Sequence, residues 1–146
     1  MVAAPSPSVT PSPAAVPTSA TAPSAQGAAA FVTFYYSELN SAFRSGRAAE
    51  IRRLSDPHCG VCNNYANSVE HDKSRIIGTT FAHLQVAAAP RQGDIVYVSV
   101  FGRIAGRGYL KDGKVQTLPP GGAFKNTVAL QRHESYWLVR AIQVDR

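Results

Sequence analysis

The apolar residues of this chain change their repeat once, at Gly78: before it they recur with helical spacing, and after it they alternate. A chain that puts its helices first and its alternating segments last cannot interleave them into parallel βαβ units. The pattern predicts an α+β domain. Residues 27–45 read as the first helix, with Phe31, Val32, Phe34, Tyr35, Tyr36, Leu39, Ala42 and Phe43 on one broad arc. Thr33, Ser37, Asn40, Ser41 and Arg44 fall opposite, and Gly46 is a natural stop. So much aromatic surface on one helix needs a wide cover, which a curved sheet supplies. A short helix is expected at about 47–54 and a third from Cys59 to Ile77, ended by Gly78. Strands follow at 79–89, at 95–101, at 108–110 with 115–118 across an Asp112-Gly113 turn, and at 123–132 and 136–144. Gly102, Gly106 and Gly108 favour a bulge or sharp bend in this sheet of roughly four to five antiparallel strands.

Composition sets the domain boundary. Residues 1–26 carry no charge and no aromatic ring, yet hold six of the ten prolines among Ala, Ser, Thr and Val. Such a stretch cannot bury enough apolar surface to offset its ordering entropy, so it is expected to be a disordered tether. Residues 27–146 then form the single domain. A tether of this kind suits an exported protein displayed at the cell envelope, with an export signal once ahead of it. The net charge of +6 belongs wholly to the domain. Its basic residues are scattered, which reads as a solvated surface and not a nucleic-acid site.

Cys59 and Cys62 are the two cysteines of the chain. A structural disulfide is the favoured reading, and it fits an oxidising compartment. Two alternatives stay open. A Cys-x-x-Cys pair at a helix start lowers a thiol pKa and suits redox work, though helices and not a strand precede it here. Zinc would need further ligands, with His58 and His71 the nearest histidines.

The segments Ala28-Ala29-Ala30-Phe31, Phe34-Tyr35-Tyr36 and Leu39-Asn40, then Leu54-Ser55-Asp56-Pro57-His58-Cys59-Gly60-Val61-Cys62, resemble a group of uncharacterised actinobacterial lipoproteins. These carry a Ser-x-Pro-x-Cys-x-x-Cys segment after their first helices and a tryptophan in the last strand, here Trp137. The group is similar in layout to the nuclear-transport-factor-two-like superfamily, which holds isomerases, cyclases and non-catalytic binding modules. That resemblance implies three N-terminal helices in the hollow of a strongly curved sheet, forming a cone. It also implies a lipid-anchored cysteine upstream of the tether, which this sequence lacks. Fold does not confer function, so the site must be argued from its own residues.

Phe31, Tyr35, Glu38, Leu39, Tyr97 and Trp137 are the candidate lining of the cone. Glu38 lies within the apolar arc of the first helix, where burial would raise its pKa and suit it to proton transfer; Asp72 similarly borders the third helix. Against catalysis, no Asp or Glu falls at an inward strand position, where the resemblance puts an isomerase's base. His83 reads as a hydrogen-bonded structural histidine. The glycines at 102, 106 and 108 lie in a sheet, so they form no phosphate cradle. No catalytic set, cofactor or metal is expected. The expected function is an envelope module binding a small apolar ligand or an envelope protein, with membrane attachment only through an upstream anchor. An isomerase-like enzyme using Glu38 and a redox protein are the alternatives.

Overall fold

A computed structural model describes residues 16–71 and 75–145. Three helices, α1 (Ala25–Ser45), α2 (Ala49–Arg53) and α3 (Gly60–His71), precede seven strands. These are β1 (Arg75–Ile77), β2 (Phe81–Ala88), β3 (Ile95–Ile104), β4 (Arg107–Lys111), β5 (Lys114–Leu118), β6 (Gly122–Arg132) and β7 (Trp137–Asp145). All pairings between the strands are antiparallel. The α+β class expected from the change of period is the class observed.

The strands form two sheets, in the orders β2-β3-β6-β7 and β1-β4-β5. They are better seen as one sheet creased along a line. The chain passes from one sheet to the other between β1 and β2, between β3 and β4 and between β5 and β6. The three crossings are stitched side by side, Ala105 N–H donating to the Thr80 carbonyl and Gly121 N–H to that of Ile104, both at 3.0 Å. Bulges at His83 and between Ala129 and Leu130 add further bend. The crease is where the glycine pattern predicted one, but it yields more strands than expected.

α1 lies on the inner face of the larger sheet. Val96, Val98, Val100, Val128, Leu130 and Val139 from the strands and Phe31, Val32, Tyr35, Tyr36 and Leu39 from α1 are all fully buried. Tyr36, Phe81 and Phe124 add an edge-to-face group, with ring centroids 5.2 and 5.4 Å apart for the two contacts of Phe81. Asn126 Nδ2 donates to the Tyr36 hydroxyl at 2.8 Å inside this layer. Ser24 caps α1 by accepting from Gly27 N–H, and Gly46 ends it with φ of 77°, a left-handed cap that glycine adopts at least cost.

Four expectations need correction. The tether does not run to residue 26, because residues 16–24 pack on the domain. Ala20 is buried, and three consecutive carbonyls are gripped from 68 to 115 residues away. Arg132 donates to Thr21, Trp137 Nε1 to Ala22 and Arg91 to Pro23, at 2.7, 2.9 and 2.9 Å. The segment also crosses α1 so closely that a Cβ at Gly27 would run into the Ala22 carbonyl. A segment poor in apolar side chains is thus ordered through its backbone. Residues 1–15 lie outside the described residues, as does Asp72.

Secondly, α3 stops at His71, and Arg75–Ile77 form β1 where a helix was expected to continue. Ile76 and Ile77 are β-branched and pair with Tyr109 and Gly108, so a partner strand outweighs helical spacing. Thirdly, Asn40, placed on the polar side of α1, is buried. Its side chain donates to the Phe81 carbonyl at 3.1 Å and accepts from the Thr80 and Phe81 N–H groups at 3.2 and 2.9 Å. Fourthly, His83 is exposed at a bulge with φ of 54°.

Candidate functional site

The hollow of the sheet is closed by its own side chains. Phe31, Tyr35, Leu39 and Trp137, four of the six residues expected to line a cone, are at most 1% exposed and pack as core. Burial raises the Tyr35 and Tyr36 hydroxyls well above the ordinary tyrosine range, the nearby Ser55 and Asn126 side chains partly offsetting it. The Tyr35 hydroxyl lies toward Ser55 but falls short of hydrogen-bond geometry, while Ser55 Oγ–H is committed to the Ile51 carbonyl at 2.5 Å.

The other two residues lie elsewhere. Tyr97 alternates with buried Val96 and Val98 and so projects from the opposite face of the sheet, half exposed. Phe101 shares that face, with Lys125 Nζ 5.3 Å from its ring centre. Glu38 sits at the margin of α1, partly buried. Its pKa is raised by desolvation and by Glu50, and Arg53 opposes the shift. A raised carboxyl pKa means that the folded state keeps a proton the unfolded chain has released. Stability from this group is therefore present at low pH and lost as pH rises past the ordinary value of 4.5. Glu38→Gln is expected to raise the urea midpoint relative to wild type at pH 7. The gain should vanish well below pH 4.5; an equal difference at both pH values would refute this account.

The open space lies at the end of the domain where the N-terminal segment meets β7. A groove of about 480 Å³ runs between the turn Thr18–Ala20, the start of α1, the end of α2 and the first residues of β7. Phe31, Leu54, Trp137 and Leu138 make its apolar walls, with Ser55 and Arg53 as polar groups. Each wall has a local cause. The Leu54–Asp56 turn is tied to β7 by Asp56 N–H donating to Val139 C=O at 2.8 Å and Val139 N–H to Leu54 C=O at 3.0 Å. Trp137 is fixed by its bond to Ala22 and by the Arg132 and Arg91 guanidiniums, 5.1 and 5.9 Å from its ring centre. Arg53 is held by Glu50 at 2.7 Å. Of the residues expected in a pocket, the structure brings only Phe31 and Trp137 to this groove. Sequence reasoning missed Val16, Ala20 and Thr21 because they lie in the supposed tether, and Tyr136 and Leu138 because they flank a tight strand connection.

Cys59 and Cys62 are bonded to each other at the N-terminus of α3, both buried. Cys62 N–H also points at Cys59 Sγ, 3.2 Å away. A ring this short contributes about 2 kcal/mol in the chain-entropy description. Beside it, Asp56 accepts from His58 N–H at 2.8 Å, which holds its carboxyl below the usual range. Arg52 and Glu70 join α2 to α3 through an exposed ion pair at 2.6 Å. Among the described residues no three His, Cys, Asp or Glu side chains converge as metal ligands would.

No known family's profile matches the chain, and no curated protein matches it. Among solved structures, the chain is similar to an uncharacterised protein with a cystatin-like fold from Caulobacter vibrioides. The two share 6% identity over 79% of this chain and 87% of that one, with a TM-score of 0.48. It is also similar to a chain named Rd1NTF2_05 bearing further substitutions. Here identity is 13%, coverage 79% and 96%, and the TM-score 0.43.

Proposed function

We propose that this chain is an exported, non-catalytic module of the cell envelope that binds a small apolar ligand in the groove between its N-terminal segment and β7. One observation carries the reading. With the hollow filled, this groove is an open, mainly apolar recess among the described residues, and its volume falls in the range of about 300–1,000 Å³ usual for small-molecule sites. Apolar walls with a few polar groups suit an amphiphile whose polar end meets Arg53 or Ser55. Glu38 does not line the groove, which removes the support for an isomerase-like reading. The buried, bonded cysteines favour a structural role over redox work. Export is supported by that disulfide, by the uncharged Pro/Ala/Ser/Thr stretch, and by the resemblance to actinobacterial envelope lipoproteins.

Trp137 is the single tryptophan of the chain and forms part of the groove, so it reports on occupancy. Titration with 1-anilinonaphthalene-8-sulfonate is expected to change its emission saturably. Leu138→Glu, at a half-buried position of the wall, should weaken this at least tenfold with the circular dichroism spectrum unchanged. Unaltered emission, or equal binding by a folded Leu138→Glu variant, would rule the groove out.

A further inference from the structure

The smaller sheet carries exposed apolar side chains on one of its faces. In its register Arg75 lies opposite Leu110 and Leu110 opposite Val115, while Ile77 lies opposite Gly108. Side chains of paired residues share a face, so Ile77, Leu110 and Val115 emerge on one side, together with Arg75 and Thr117. Ile77, Leu110 and Val115 are 47%, 36% and 64% exposed, three of the few large apolar side chains among the described residues that face solvent. The other side, one residue out of phase, carries Lys111 opposite Lys114. Every residue from Leu110 to Thr117 is exposed.

Charge is as one-sided as hydrophobicity. Arg75, Arg107, Lys111 and Lys114 stand on this sheet against a single acid, Asp112, at the turn. Arg44 adds a fifth cation at the root, donating to the Gly78 carbonyl at 3.2 Å. Among the described residues neither Lys111 nor Lys114 has an ion-pair partner. Among the described residues this stretch is an open edge of the sheet. A bilayer needs no enclosure. It needs apolar atoms that reach beyond the protein and cations at the level of the phosphates, and lysine stems reach that level while the apolar face enters.

We propose that the β4–β5 hairpin docks this domain edge-on, along the free β5 edge, on an anionic membrane surface, Leu110 and Val115 on one face entering the headgroup boundary and Lys111 and Lys114 on the other reaching lipid phosphates. No helix among the described residues is long and apolar enough to span a bilayer, and the proposed contact is a peripheral one. It shares no residue with the groove beside β7, and the two readings stand or fall separately.

The test is sedimentation of the full chain with vesicles of phosphatidylglycerol and phosphatidylcholine, against vesicles of phosphatidylcholine alone, at about 50 mM salt. Binding is expected to the anionic vesicles only, weakening as salt rises. Lys111→Gln with Lys114→Gln should weaken it about thirtyfold, since each lysine near such a surface is worth about fivefold. Both side chains are exposed, so the fold should survive, which Trp137 emission verifies. Val115→Trp should shift to shorter wavelength on the vesicles and be quenched by lipids brominated in their acyl chains. Absence of binding at low salt, binding indifferent to the double lysine variant, or a Val115→Trp emission that does not move would each overturn the proposal. So would capture of soluble polyglutamate by the same lysines with vesicles ignored, which would point to an acidic protein instead.

Discussion

Trp137→Ala is expected to destabilise the domain by about 3–5 kcal/mol, the range for emptying the site of a fully buried large aromatic side chain. Trp137 is 1% exposed and forms part of both the core and the groove floor. Its loss also frees the Ala22 carbonyl and removes the ring against which Arg132 and Arg91 lie. Urea unfolding followed by far-ultraviolet circular dichroism measures the total. Trp137→Phe separates the parts, keeping most of the packing but not the indole N–H, and should cost only about 1–2 kcal/mol. In both variants residues 16–24 should become accessible to protease before the rest of the domain unfolds. A loss below about 1 kcal/mol for the alanine variant would mean that the N-terminal grip does not depend on this residue.

Asn40→Leu should be nearly as damaging, although it adds apolar volume to a helix already rich in it. The change strands the Phe81 carbonyl and the Thr80 and Phe81 N–H groups where β2 begins. Buried unpaired groups cost about 1–3 kcal/mol each, less than additively when they are neighbours, so about 3–5 kcal/mol is expected. Hydrogen exchange gives a local readout. The Phe81 amide should lose protection far more than those of Val98 or Val128 in the centre of the sheet. If stability holds and the Phe81 amide stays protected, the Asn40 bridge is ornamental and α1 is held by its apolar face alone.

The two residues show what could and could not be read in advance. Trp137 was legible as an inward residue of the final strand, although it was expected to line a cone and is instead buried as core beside the groove. Asn40 was not. Helical projection puts it on the polar side, and only the bent start of β2, passing over α1, turns that side into an interior. The groove was likewise out of reach, because it is assembled from a proline-rich segment, a helix end and a strand start that composition assigns to three separate categories. Tyr97 shows the opposite error. An aromatic residue in a strong strand reads as inward until the register with Val96 and Val98 is known, and a shift of one residue moves it to the other face.

By itself, the sequence determined the order of elements, helices before strands, because the apolar repeat is a local property that each segment carries without its neighbours. It also determined the close pair of cysteines and the glycine-bearing stretch where the sheet bends. Tertiary structure alone decided where the domain begins, which end of it stays open, and that Arg75–Ile77 extend instead of coil. Each of those outcomes depends on hydrogen-bond donors or a partner strand brought in from far along the chain, and a pairing between distant residues has no period to read.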